Sequence, residues 1–126
     1  MPRQIITTPD APSSPLFSQG VRAGGLVVVS GTTGVDPGTG ALAGSSIGAQ
    51  TRQALTNCTA VLRAAGASLD DVVEVGVLLS DPDDFAGMNE EYAQWFPRDA
   101  PARYAATLGA RIPGLLVSIR MTAVVA

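Results

Sequence analysis

The stretch QTRQALTNCTAVLRAAGASLDDVVEVGVLLSD, residues 50–81, carries a helix and a strand in one continuous reading. Ile47, just upstream, opens an apolar stripe that continues through Thr51, Leu55, Cys58, Leu62 and Ala65. Spacings of three and four predict a helix over 47–65 with one buried face. Ser45 or Ser46 can accept from its first free amides, and Gly66 stands where a left-handed closing residue belongs. Residues 71–79 then alternate valines with other side chains, the signature of a strand. Asp81-Pro82-Asp83-Asp84 starts a second helix: Asp81 caps it, Pro82 has no N–H to leave unpaired, and the following carboxylates meet the positive end of the dipole. Phe85, Met88, Tyr92 and Trp95 or Phe96 form its buried stripe, Pro97 ends it, and Glu90 and Glu91 face water.

Outward from this α-β-α centre both flanks read as strands. Residues 3–7 form a short first strand, and Pro9, Pro12 and Pro15 force an extended path into a second over 16–22. Gly24-Gly25 connects to a buried run, LVVVS, at 26–30. Residues 30–40, SGTTGVDPGTG, read as loop and turn. Beyond the second helix come strands over 103–108 and 115–125, joined by GARIPG. The order β-β-β-α-β-α-β-β describes one α+β domain over 1–126, with the two helices on one face of a mixed sheet of about six strands. The other face lacks a layer of its own. Only 15% of the residues are charged, so the chain is expected to cover that face with another subunit.

Composition narrows the chemistry. The 126 residues include no histidine and no lysine; all eight basic residues are arginine, and Cys58 is the one cysteine. Nucleophile systems built on His, Schiff bases, phosphate-binding P-loops and zinc sites are therefore excluded. Neither a cofactor nor a metal is expected. Cys58 lies on the apolar stripe and reads as a small buried hydrophobe. A net charge of −3 argues against nucleic acid as a partner. No basic stretch precedes an apolar core near the N-terminus, and no apolar run approaches the roughly 18 residues of a span. A cytoplasmic protein without a membrane partner is expected.

Arg103 stands at the start of a strand after a proline-ordered loop, either as a surface charge or as a carboxylate receptor whose guanidinium forks onto a planar anion. On the last strand Val117, Ile119, Met121 and Ala123 alternate with Ser118, Arg120, Thr122 and Val124, so the two sets face opposite ways.

The chain resembles the RidA/YjgF-like family of enamine/imine deaminases, also labelled endoribonuclease L-PSP. PLFSQGV at 15–21, VVVSGTTGVDPGTG at 27–40, the 50–81 stretch, DFAGMNEEYAQWF at 84–96 and PARYAATLGARIPG at 101–114 follow the family's order. The resemblance implies a chorismate-mutase-like fold, a homotrimer with clefts between subunits, and hydrolysis of 2-imino acids and their enamine tautomers, such as 2-aminoacrylate and 2-iminobutanoate, to 2-oxo acids and ammonia. It implies that Arg103 clamps the substrate carboxylate and that Asn89, Tyr92, Ser30 and Gly31 line the cleft. The backbone carbonyl of Ala105 would hold the imine nitrogen. Two positions depart from the family pattern: Phe17 stands where many members have Tyr, and Ser118 replaces the Glu that organises the attacking water. Arg120, two residues on, would add a positive charge that favours anionic ligands. The implied activity is deamination. The alternatives are a non-catalytic trimeric binder of small carboxylates or 2-oxo acids and, more weakly, an endoribonuclease.

Overall fold

The computed structural model describes residues 2–126. Its strands are β1 (Gln4–Ile6), β2 (Gly20–Ala23), β3 (Leu26–Thr33), β4 (Val72–Leu79), β5 (Ala102–Thr107) and β6 (Val117–Val124). Two helices, α1 (Ile47–Ala64) and α2 (Phe85–Trp95), are each approached through a local cap. Ser46 accepts from the Ala49 amide at the start of α1, and Asp81 accepts from Asp83 in the single turn before α2. Gly66 closes α1 at φ 82°, a conformation that a side chain disfavours.

The six strands form one sheet in the order β1-β2-β3-β6-β4-β5. Every pairing is antiparallel except β4 with β5, whose parallel alignment requires the crossover that α2 supplies. Helix α1 lies across β3 and β6 and packs beside α2. The core is the layer between: Val27, Val29, Val75, Val77, Val117, Ile119 and Met121 from the sheet meet Leu55, Cys58, Val61, Leu62 and Met88 from the helices. Burying each larger side chain contributes about 1.5–3 kcal/mol. Fold class, element order and one-sided helices match the sequence reading.

The opposite face has no covering layer. Ile5, Val21 and Val28 align across β1–β3, Leu26 pairs with Val124, and Glu74, Tyr104, Ser118, Arg120 and Thr122 continue the face over β4–β6. Ile5, Leu26, Tyr104 and Val124 are exposed there. The Tyr104 ring lies over Gly76, whose missing side chain leaves it room. Strand β5 is exposed along its whole length. No helix among the described residues is long and apolar enough to cross a membrane.

Four local expectations change. Strand β2 begins at Gly20, not at 16, because Gln19 turns its buried amide onto the Thr8 amide and the Thr8, Ala11 and Pro12 carbonyls at 2.7–3.0 Å, making 16–19 a fastened turn. Strand β3 runs on to Thr33: a shift of register between Val29 and Thr32 absorbs the glycine, and pairing with β6 resumes. Phe85 is half-exposed at the first turn of α2 instead of buried. Glu91 is buried instead of facing water, because α2 packs against α1; its carboxylate accepts from Arg52 Nη2 at 2.9 Å and from Trp95 Nε1 at 3.0 Å.

Burial alone would raise the pKa of Glu91. The hydrogen bonds from Trp95 and Arg52, with the charge of Arg52, outweigh it and hold the carboxyl below its ordinary range. A carboxyl whose folded-state pKa lies below its unfolded value, near about 4.3, adds stability above that value and loses it as pH falls through the folded-state pKa. Glu91→Gln should therefore destabilise by about 1 kcal/mol at pH 7. Urea denaturation of the two proteins should converge as the pH is lowered from 6 to 3; a gap that stays constant would remove Glu91 ionisation as its cause.

Candidate active site

Arg103 is the second residue of β5 and pairs with Val75, while Ala105 pairs with Val77. Val75 and Val77 are fully buried beneath the helices, so Arg103 and Ala105 share the helix-side face at the edge of the sheet. Helix α2 fixes the arginine there. Asn89 Oδ1 accepts from Arg103 Nη1 at 2.7 Å. The guanidinium carbon lies 4.8 Å from the centre of the Tyr92 ring and 5.6 Å from that of Phe85, within cation–π range.

Phe85, Asn89 and Tyr92 follow one another at helical spacings of four and three, so α2 offers all three on one side. The ion pairs among the described residues are Arg52–Glu91, in which only the carboxylate is buried, and Arg120–Glu74 at the surface. Neither involves Arg103, which is thus held in place with no carboxylate of its own. The Tyr92 hydroxyl is buried with no partner among the described residues, and burial pushes its pKa up against the opposing charge of Arg103.

Ser118 lies on the other side of the sheet. It stands between the buried Val117 and Ile119 and pairs with Thr33 of β3 and Leu78 of β4. Gly31, in the irregular part of β3, sits against it: a β-carbon there would be 3.1 Å from Ser118 Oγ. Ser30 is committed within the chain. Its hydroxyl donates to the Ser18 carbonyl, its amide donates to the Gln19 carbonyl at 3.0 Å, and its own carbonyl accepts from Thr32 Oγ1 at 2.7 Å. These bonds anchor the turn that carries the half-exposed Phe17. Arg120 shares the face of Ser118, but Nη1 donates to Glu74 Oε1 at 3.0 Å and Nη2 to Thr122 Oγ1 at 3.1 Å. Its charge is paired with that of Glu74 at the surface.

One chain therefore assembles Arg103, Asn89, Tyr92 and Ala105 on the helix side, and Ser118, Gly31 and Arg120 on the open side. It does not bring Arg103 and Ser118 together. Phe85 joins the first group although the sequence reading assigns it to the core; its spacing from Asn89 and Tyr92 is the signal that marks it.

A family model described as Endoribonuclease L-PSP matches residues 8–125. The chain belongs to this family. A RutC family protein of Pyrococcus horikoshii is 41% identical over 123 residues, 96% of this chain and 97% of that protein. A Bos taurus protein named 2-iminobutanoate/2-iminopropanoate deaminase is 38% identical over 123 residues, covering 97% and 90% of the two chains. Among solved structures, RidA from an Antarctic Psychrobacter species superposes with a TM-score of 0.90 at 37% identity, over 97% of this chain and 99% of its own.

Cys58 has no access to either group in this L-PSP chain. It is fully buried in α1, its Sγ donates to the Ile119 carbonyl at 3.6 Å, and burial, opposed by a hydrogen bond with Thr32, pushes the thiol up to about 12. It is a packing residue.

A guanidinium oriented by Asn89 and two rings presents its remaining N–H groups as a fork, which an ammonium cannot reproduce. Arg103→Lys should weaken binding of pyruvate and 2-oxobutanoate more than tenfold, read by titration calorimetry. Retained affinity would take Arg103 out of the site.

Proposed function

We propose that this protein hydrolyses 2-imino acids, and their enamine tautomers, in clefts between the subunits of a homotrimer. The observation that carries the reading is Arg103: a half-stacked, hydrogen-bonded arginine with no carboxylate partner, a receptor prepared for a small carboxylate. The name of the bovine relative supports the class of substrate. The two groups of site residues support the assembly. Because Arg103 and Ser118 face opposite ways in one chain, they can act on one ligand only if the open face of one subunit meets β5 of the next. That contact would also cover the exposed β5 and the apolar stretch of the open face.

In this reading Arg103 holds the substrate carboxylate and so fixes the adjacent C=N carbon. The water oxygen forms a bond to that carbon while the C=N electron pair moves to nitrogen, which takes a proton from the water. The resulting carbinolamine then breaks its C–N bond. Nitrogen leaves as ammonia with the electron pair and the hydroxyl proton, and the 2-oxo acid remains. Ser118 of the neighbouring subunit orients the water by hydrogen bonding, and the Ala105 carbonyl receives the nitrogen. An α-imino acid is already electrophilic, so orientation supplies much of the acceleration. A carboxylate base would add roughly 10²–10⁴-fold, which a serine hydroxyl does not. Because Glu74 neutralises Arg120, a protonated, cationic iminium meets no unpaired positive charge beside Ser118.

Ser118 also favours a second reading, a trimer that binds small carboxylates or 2-oxo acids in the same clefts without turnover. The net charge of −3 speaks against nucleic acid as the substrate.

Two measurements test the proposal. A dehydratase acting on serine and threonine generates 2-aminoacrylate and 2-iminobutanoate; this protein should speed release of the oxo acid, Arg103→Ala should abolish the effect, and Ser118→Glu should raise kcat at least tenfold. No acceleration by wild type or by Ser118→Glu, with 2-oxobutanoate still bound through Arg103, would establish the binder. Sedimentation equilibrium should give a mass near three chains, and a monomer would overturn the intersubunit cleft.

A further inference from the structure

A cavity of about 400 Å³ opens where α2 ends and β4 begins. Its floor is apolar: Val72 of the buried core, with Leu69, Trp95 and Phe96 packed against it. Both rings are fixed from behind. The Trp95 indole N–H donates to Glu91 Oε2 at 3.0 Å, and Phe96 packs on Tyr92 with ring centres 4.9 Å apart. The rim carries charge of both signs: Asp70 from the turn before β4, and Arg98 and Asp99 from the loop that leads into β5. None of these three forms an ion pair among the described residues. Pro97 and Pro101 bracket the loop and limit its alternatives. Asp99 between them has φ 49°, the one positive value outside glycine among the described residues, which Asp tolerates better than most side chains do.

We propose that this cavity binds a free α-amino acid with a large apolar side chain. An apolar floor with a few charged groups at its rim, at this volume, is the composition of a small-molecule site. The charges choose the ligand. A simple anion meets two carboxylates, and a simple amine leaves Arg98 without a partner. A zwitterion answers both: its carboxylate takes the Arg98 fork, and its ammonium takes Asp99 and Asp70. An aliphatic or aromatic side chain then lies on Leu69, Val72 and the two rings, where its burial adds affinity. The site is distinct from the Arg103 cleft. Arg103 lies against Tyr92, whereas the cavity is walled by Phe96 on that ring's neighbour side and does not include Arg103 in its lining.

Titration calorimetry on Arg103→Ala, which removes the carboxylate receptor of the cleft, keeps the two places apart. L-Leucine should bind this variant with one molecule per chain. Three fragments of leucine should each bind at least tenfold more weakly: 3-methylbutylamine, which lacks the carboxylate, 4-methylpentanoate, which lacks the ammonium, and glycine, which lacks the side chain. Adding Arg98→Ala or Asp99→Asn should weaken leucine at least tenfold, with circular dichroism unchanged. Asparagine keeps the left-handed conformation of position 99, so its loss reports the charge. The inference is overturned if leucine fails to bind Arg103→Ala, whether or not it binds wild type through the cleft. An amine or a carboxylic acid that binds as tightly as leucine would overturn it too, and so would full affinity in both rim variants.

Discussion

The side chain of Gln50, without any exposed surface, joins three segments that the backbone alone would leave apart. Its Nε2 donates to the carbonyls of Gly44 and Gly114 at 2.9 and 2.8 Å, and its Oε1 accepts from the Leu116 amide at 2.9 Å. Gly34 packs directly on the backbone of the same residue. Ser80 reinforces the joint, with its hydroxyl on the Leu115 carbonyl at 2.6 Å and its amide on that of Leu116 at 3.0 Å. An unpaired buried amide group is worth about 1–3 kcal/mol of lost stability, so the entry of β6 has one acceptable position. That position sets register. It sends Val117, Ile119 and Met121 toward the helices and Ser118 and Arg120 away from them, and a slip of one residue would exchange the two sets.

The same device recurs. Gln19 fastens the N-terminal turn, and Asn57 of α1 donates to the Thr33 and Val35 carbonyls at 2.9 and 2.8 Å, holding the end of β3. Neutral amides do the tying in a chain with few charges, and the charges are used with economy. Arg52 is assigned to Glu91 and Arg120 to Glu74. Arg103, gripped by a neutral Asn89 and two rings, has no carboxylate partner among the described residues.

Much of this was legible in the sequence because its causes are local. The 3.6-residue stripe of α1, the Asp81-Pro82 start before α2 and the two-residue alternation of β6 each lie within a few turns or strand steps. What the sequence left hidden depends on which elements meet. Glu91 sits on a helix whose polar side is solvated until α1 brings Arg52 against it. Nothing in the sequence pairs Arg120 with Glu74, 46 residues away, until β4 and β6 lie side by side. Residues 30–33 look like loop because glycine interrupts them, yet β6 offers a partner on both sides of the irregularity. Arg103 and Ser118 both stand out in the sequence, but only the sheet shows that they look in opposite directions. The family resemblance implies a set of candidate residues without saying how one chain divides them.

Cys58 is the sole thiol, sealed in the core and ionising only near pH 12, and the chain has no lysine. Aldehydes, imines and other electrophiles consequently find neither a side-chain amine nor an accessible thiolate with which to form an adduct. Transimination onto a side chain, Michael addition and peroxide oxidation of a thiol are all closed routes on the native fold. Chemical durability toward reactive small molecules is thus built into the same burial that packs α1 against the sheet.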